Sequence, residues 1–120
     1  MKDTNETRIT VDHCVYMEEK RENERKLEIL VSQEMKNMAM SHMIKGMISD
    51  YGRDTKVSKN IGSYTYHSAA SSEILAHLDC DTIDNEASKR FLVSIYDLEL
   101  AKYVFNEFKK MSKDSNEGEK

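Results

Sequence analysis

The sequence predicts a helix-dominated α+β fold, with long helices and a short two-stranded β-hairpin or ribbon. Three observations support this. The chain has no proline and only four glycines, so nothing interrupts helix over long stretches. Apolar residues recur at helical spacing between residues 27 and 51 and again between 87 and 108. Strict period-two alternation is confined to two short segments, near 9–17 and 61–67.

Residues 1–7 are polar and are expected to fray. Ile9, Val11, His13, Val15 and Met17 then alternate with Thr10, Asp12, Cys14 and Tyr16, the pattern of a half-buried strand. The expected register turns Ile9, Val11, Val15 and Met17 inward. From about Glu18 to Asp50 straight-chain residues dominate and helix is expected throughout. Leu27, Leu30, Val31, Met35 and Met38 form one stripe; Met40, Met43, Ile44, Met47, Ile48 and Tyr51 form another on a different side. This is read as one long helix with two contact faces, or two helices bending near Met38–Ser41. Gly52 supplies its stop.

Turn-forming residues fill 52–63, and Ile61, Ser63 and Thr65 alternate with Gly62, Tyr64 and Tyr66 in a second strand suited to pair with the first. Ser71 or Ser72 caps a short predicted helix carrying Ile74, Leu75 and Leu78. A final helix is predicted to begin at Asp81 or Asp84 and to run to about residue 111. Its stripe is Ala87, Phe91, Ile95, Leu98, Phe105 and Phe108. A polar, disordered tail follows at 112–120. The organisation is therefore one globular domain over 8–111, between a flexible start and this tail.

Composition narrows the function. Leu, Ile, Val and Phe make up one fifth of the 120 residues, at the edge of the disorder regime, although a net charge of −4 is too small to enforce disorder. A modest core is expected, completed by an oligomer or a partner. The acidic balance argues against nucleic acid, because the best basic cluster, Lys20, Arg21, Arg25 and Lys26, is interrupted by Glu22 and Glu24. No apolar run approaches the roughly 18–20 residues that span a bilayer. Two cysteines, Cys14 and Cys80, fit a reducing compartment, so a cytoplasmic protein is expected.

Catalytic and metal signatures are weak. His77-x-x-Cys80 has a metal-like spacing, but repeated Cys or His pairs are missing, and Cys80 reads better as a small buried side chain. Ser68, Ser71, His67 and His77 supply the residue types of a nucleophilic site without a glycine-rich oxyanion turn. The glycines at 46, 52, 62 and 118 never cluster into a phosphate loop. No cofactor, no metal and no enzymatic activity are expected.

Binding is the remaining reading. Five of the eight methionines fall between residues 35 and 47, and methionine serves both irregular cores and adaptable interfaces. A helix apolar on two sides is either sandwiched in its own fold or waiting for another chain. Met40, Met43, Ile44, Met47 and Tyr51 are the expected partner-binding anchors, and Tyr64 and Tyr66 form a second patch.

In length, lean composition and lack of catalytic motifs, the chain resembles small phage-encoded anti-defence proteins, among them the inhibitors of defence-associated sirtuins. The resemblance lies in overall character and transfers no residues. It implies a non-catalytic inhibitor that binds a larger protein in the bacterial host cytoplasm, such as an NAD-depleting defence effector, and blocks its activation. A homo-oligomeric regulatory or structural protein and a small DNA-binding regulator are the alternatives.

Overall fold

The structure, a computed structural model, describes residues 11–18, 25–32, 36–80 and 88–118. Its elements run β1 (Val11–Glu18), β2 (Arg25–Ser32), α1 (Asn37–Asp50), β3 (Thr55–Asn60), β4 (Ser63–Ser68), β5 (Ile74–Asp79), β6 (Ser88–Ile95) and α2 (Leu98–Gly118). The strands form one sheet in the order β1-β2-β6-β5-β4-β3, with every described neighbour pair antiparallel. The sheet is the larger part of the fold. This overturns the expectation of a helix-dominated, largely helical chain with a two-stranded ribbon.

Three segments account for the correction. Residues 25–32 form a strand because Leu27, Ile29 and Val31 alternate with Lys26, Glu28 and Leu30 and pair in register with Val93, Phe91 and Lys89. Ile74–Asp79 is β5 rather than a capped helix, and the serines before it build a turn: Ser68 Oγ accepts the Ser71 N–H and Ser71 Oγ accepts the Glu73 N–H. Phe91, Val93 and Ile95 likewise alternate along β6, so the last helix begins only at Leu98 and continues to Gly118, past its expected end. Residues 1–10 (with Ile9 of the expected first strand), Met35, Asp81, Asp84 and Ala87 lie outside the described residues.

β1 pairs with β2 and β4 pairs with β3 and β5, so the two expected strands exist but are not each other's partners. In β1, Tyr16 lies opposite Leu27 and Cys14 opposite Ile29. Position 11 keeps its expected row, opposite Val31, and the register shift between Val11 and His13 then brings positions 14 and 16, not 15 and 17, into the rows of the core.

One face of the sheet carries the core. Register rows such as Leu27, Val93, Leu78 and Tyr64 run straight across four strands, and all four are buried. Both helices cover this face. From α1, Met40, Ile44, Met47 and Ile48 pack in the same cluster as Leu100, Ala101, Val104 and Phe108 of α2. Helical spacing puts each of these sets on a single stripe. The opposite face carries Lys26, Glu28, His77, Thr65 and Ser58, and no described element covers it. Its links are short polar ones: Thr65 Oγ1 lies 3.1 Å from His77 Nδ1, and Arg90 Nε lies 3.3 Å from Glu28.

α1 connects two parallel strands, β2 and β3, across the three strands between them. Four strand spacings amount to about 19 Å, and a helix of this length reaches about 21 Å. Its end is set by glycine. Gly52 takes φ +106°, its N–H donates to Ser49 O at 2.9 Å, and the Arg53 N–H donates to Ile48 O at 3.2 Å. This is the paired bonding of a left-handed helix cap. It turns the chain sharply and delivers Arg53 to the start of α2.

Inside the core, the fully buried Tyr66 ties β4 to α1. Its hydroxyl lies 3.0 Å from Ser41 Oγ and 3.3 Å from the Ser41 carbonyl. Burial pushes the Tyr66 hydroxyl far above the usual tyrosine value, against the lowering effect of the Ser41 hydrogen bond. No described helix is long and apolar enough to cross a membrane.

Candidate functional site

The expected anchors are mostly interior. Met40, Ile44 and Tyr66 are fully buried, Met47 and Tyr64 are 8 % exposed, and Met43 packs half-buried against the same core. Six of the seven residues thus serve this chain's own packing, and only Tyr51, 36 % exposed, reaches the surface. The doubled apolar surface read between 27 and 51 divides between two elements. Its first stripe belongs largely to β2 and its second to the buried face of α1, while Met38 is left 61 % exposed.

Tyr51 marks the one place where expectation and surface coincide. Its ring meets that of Tyr103 of α2 with centroids 5.3 Å apart and planes tilted by 43°, a favourable aromatic geometry. Partial burial raises the Tyr103 hydroxyl pKa, helped by the carboxylates of Glu107 and Asp50. Two residues after Tyr51, Arg53 Nη2 reaches Asp97 Oδ2 at 2.9 Å. Asp97 Oδ1 in turn accepts the Leu100 N–H at 2.9 Å, capping α2. One carboxylate therefore fixes the start of α2 and locks it to the end of α1.

Beside this lock lies a cleft of about 350 Å³, lined by Arg53, Glu73, Ile74, Leu75, Tyr96, Asp97, Leu98 and Glu99. Three separate pieces of chain meet there: the exit of α1, the start of β5 and the junction of β6 with α2. The Tyr96 N–H donates to Leu75 O at 3.1 Å and closes the floor. Ile74 is 47 % and Tyr96 37 % exposed. Glu99 of the cleft and Tyr103 are four residues apart and share one side of α2. The cleft and the Tyr51–Tyr103 pair thus form one strip, and a hollow of about 480 Å³ lined by Tyr103, Asn106, Glu107, Lys109 and Lys110 prolongs it.

This strip offers apolar area, fixed charges and hydrogen-bonding groups, which is the chemistry of recognition. The cleft lining contains no serine, cysteine or histidine. Elsewhere, His77 is engaged with Thr65 on the open sheet face, and Cys80 is a half-buried thiol after β5. No group of three His, Cys, Asp or Glu side chains among the described residues is placed to hold a metal.

Ile74, Tyr96 and the Arg53–Asp97 lock were missed from sequence. The usable signal was Asp97 preceding Leu98-Glu99-Leu100, an N-terminal cap followed by an acidic first turn. Asp81 and Asp84 offer the same chemistry earlier in the chain and so compete with it as the start of the helix. No protein-family model matches the chain, and comparison with curated proteins and with solved structures returns no match.

Proposed function

We propose that the chain is a non-catalytic inhibitor that binds a larger protein of the bacterial host cytoplasm through the strip running from Tyr51 to Tyr96. The proposed target class is a defence effector, with an NAD-depleting sirtuin-type protein as its specific form. One observation carries the docking reading: three of the five large apolar side chains exposed on the described surface, Tyr51, Ile74 and Tyr96, belong to this strip. Burying side chains of this size contributes roughly 1.5–3 kcal/mol each. These three are already more than half buried, so covering what remains contributes roughly 2–4 kcal/mol together, a part of the roughly 8 kcal/mol of micromolar binding. The phage-type identity of the inhibitor rests on its resemblance in size and character.

The test is co-expression with a sirtuin-type effector, reading co-purification and the cellular NAD pool. The wild-type chain is expected to co-purify and to preserve NAD. Tyr51→Glu combined with Tyr96→Glu is expected to melt like wild type and to lose both effects. Retained binding in a folded double variant would remove the strip from the interface. A concentration-dependent dimer of the chain alone, dissociated by the same substitutions, would assign the strip to self-association instead.

A further inference from the structure

Charge distinguishes the two ends of the strip. Its strand-end cleft is lined by three carboxylates, Glu73, Asp97 and Glu99, against one cation, Arg53. That cation is already spent on Asp97, whose second oxygen caps α2. Glu99 lies 3.8 Å from Lys102, with both side chains more than half exposed, a loose pairing. The carboxylate of Glu73 has no ion pair among the described residues. The lining is largely polar, but the partly exposed side chains of Ile74 and Tyr96 stand among these acids and give it an apolar patch.

We infer that this cleft receives an arginine side chain of the protein partner, an assignment that rests on the docking reading above. Its guanidinium pairs with Glu73 beside the Tyr96 ring, and its aliphatic stem lies against Ile74. Three properties of the cleft select this chemistry. An unneutralised carboxylate at an apolar wall favours a cation with a long hydrocarbon stem. An open tyrosine ring favours a planar, weakly hydrated cation over a compact ammonium. The cleft also already seats one guanidinium, that of Arg53, in contact with a carboxylate at 2.9 Å. An acidic group on the partner would meet a cleft with an excess of negative charge, three carboxylates against one guanidinium, and be disfavoured.

The experiment uses the purified full chain and no partner. Backbone and side-chain NMR resonances are followed during titration with N-acetyl-arginine amide, with its neutral isostere N-acetyl-citrulline amide, and with N-acetyl-lysine amide. The arginine probe is expected to shift Glu73, Ile74 and Tyr96 saturably, the lysine probe less, and the citrulline probe not at all. Glu73→Gln is expected to weaken the arginine response about threefold, the effect of one exposed charge pair. Glu28→Gln, which removes the same charge from the open face of the sheet, is expected to leave it unchanged. Glu73 lies in an exposed turn, and a thermal melt confirms that its variant is folded.

Equal shifts with citrulline or lysine, shifts spread evenly over all carboxylates, or an unchanged response in Glu73→Gln would each overturn the assignment. Such a failure leaves the docking reading to be judged by the Tyr51 and Tyr96 variants. A positive titration with partner capture intact in those variants would leave the cleft its selectivity for guanidinium but remove the docking reading and, with it, the partner as the source of the arginine.

Discussion

Met38 and Met40 sit two positions apart on α1 and should behave as opposites when truncated to alanine. Met40 is fully buried, facing the sheet, and Met38 is 61 % exposed at the first turn. Met40→Ala removes a sulfur and two carbons from the core, the equivalent of three methylenes. At about 0.8 kcal/mol each this is a loss near 2.4 kcal/mol, and the residual cavity raises it to about 3 kcal/mol. For a domain of this size, that lowers Tm by about 10 °C. Met38→Ala loses little buried surface and should stay within about 0.5 kcal/mol of wild type. Urea unfolding followed by circular dichroism, at constant slope, measures both. Equal effects of the two substitutions, or a Met40→Ala cost below about 1 kcal/mol, would refute the assignment of this methionine row to the core.

Tyr66→Phe should cost about 1 kcal/mol at neutral pH, read by the same unfolding experiment, by removing the hydroxyl that bridges β4 to Ser41. Because Tyr66 is held protonated in the folded state while an unfolded tyrosine ionises near pH 10, wild-type stability should fall as pH rises above about 10. Tyr66→Phe should lack that component, which stability curves from pH 9 to 11 test. Gly52→Ala meets no atom within 4 Å, so its expected cost of about 1–2 kcal/mol comes only from holding φ near +106°; thermal melts decide it. Asp97→Ala should cost about 1 kcal/mol through the lost α2 cap. Asp97→Asn, which keeps the cap and drops the Arg53 ion pair, should stay within about 0.5 kcal/mol in calorimetry.

How far the fold was legible depends on which periodicity a segment displays. The buried stripe of α1, Met40, Ile44, Met47 and Ile48, is visible at helical spacing, and Gly52 ends that helix as anticipated. In 27–31 the pattern satisfies two templates at once. Leu27, Ile29 and Val31 alternate, yet Leu27, Leu30 and Val31 also lie at helical spacing. The lean aliphatic content and the absence of proline favoured helix. What decides for strand is pairing with β6, a contact across 58 to 66 residues that local spacing cannot reveal. Residues 91–95 carry the same ambiguity, because Phe91, Ile95 and Leu98 imitate a helical stripe across the end of a strand. The candidate site was less legible for a related reason. Arg53, Ile74 and Tyr96 become neighbours only through the sheet order, and each looks ordinary in isolation.

That sheet order places the penultimate element at the centre. β6 joins β2 on one side and β5 on the other, so without it the β1–β2 pair and the β3–β4–β5 meander share no edge. On a ribosome, the first two strands must therefore wait with an unmatched hydrogen-bonding rim until residue 95 has emerged. Ending synthesis before that point would release a single chain carrying two unjoined sheet pieces with sticky borders rather than a smaller working protein.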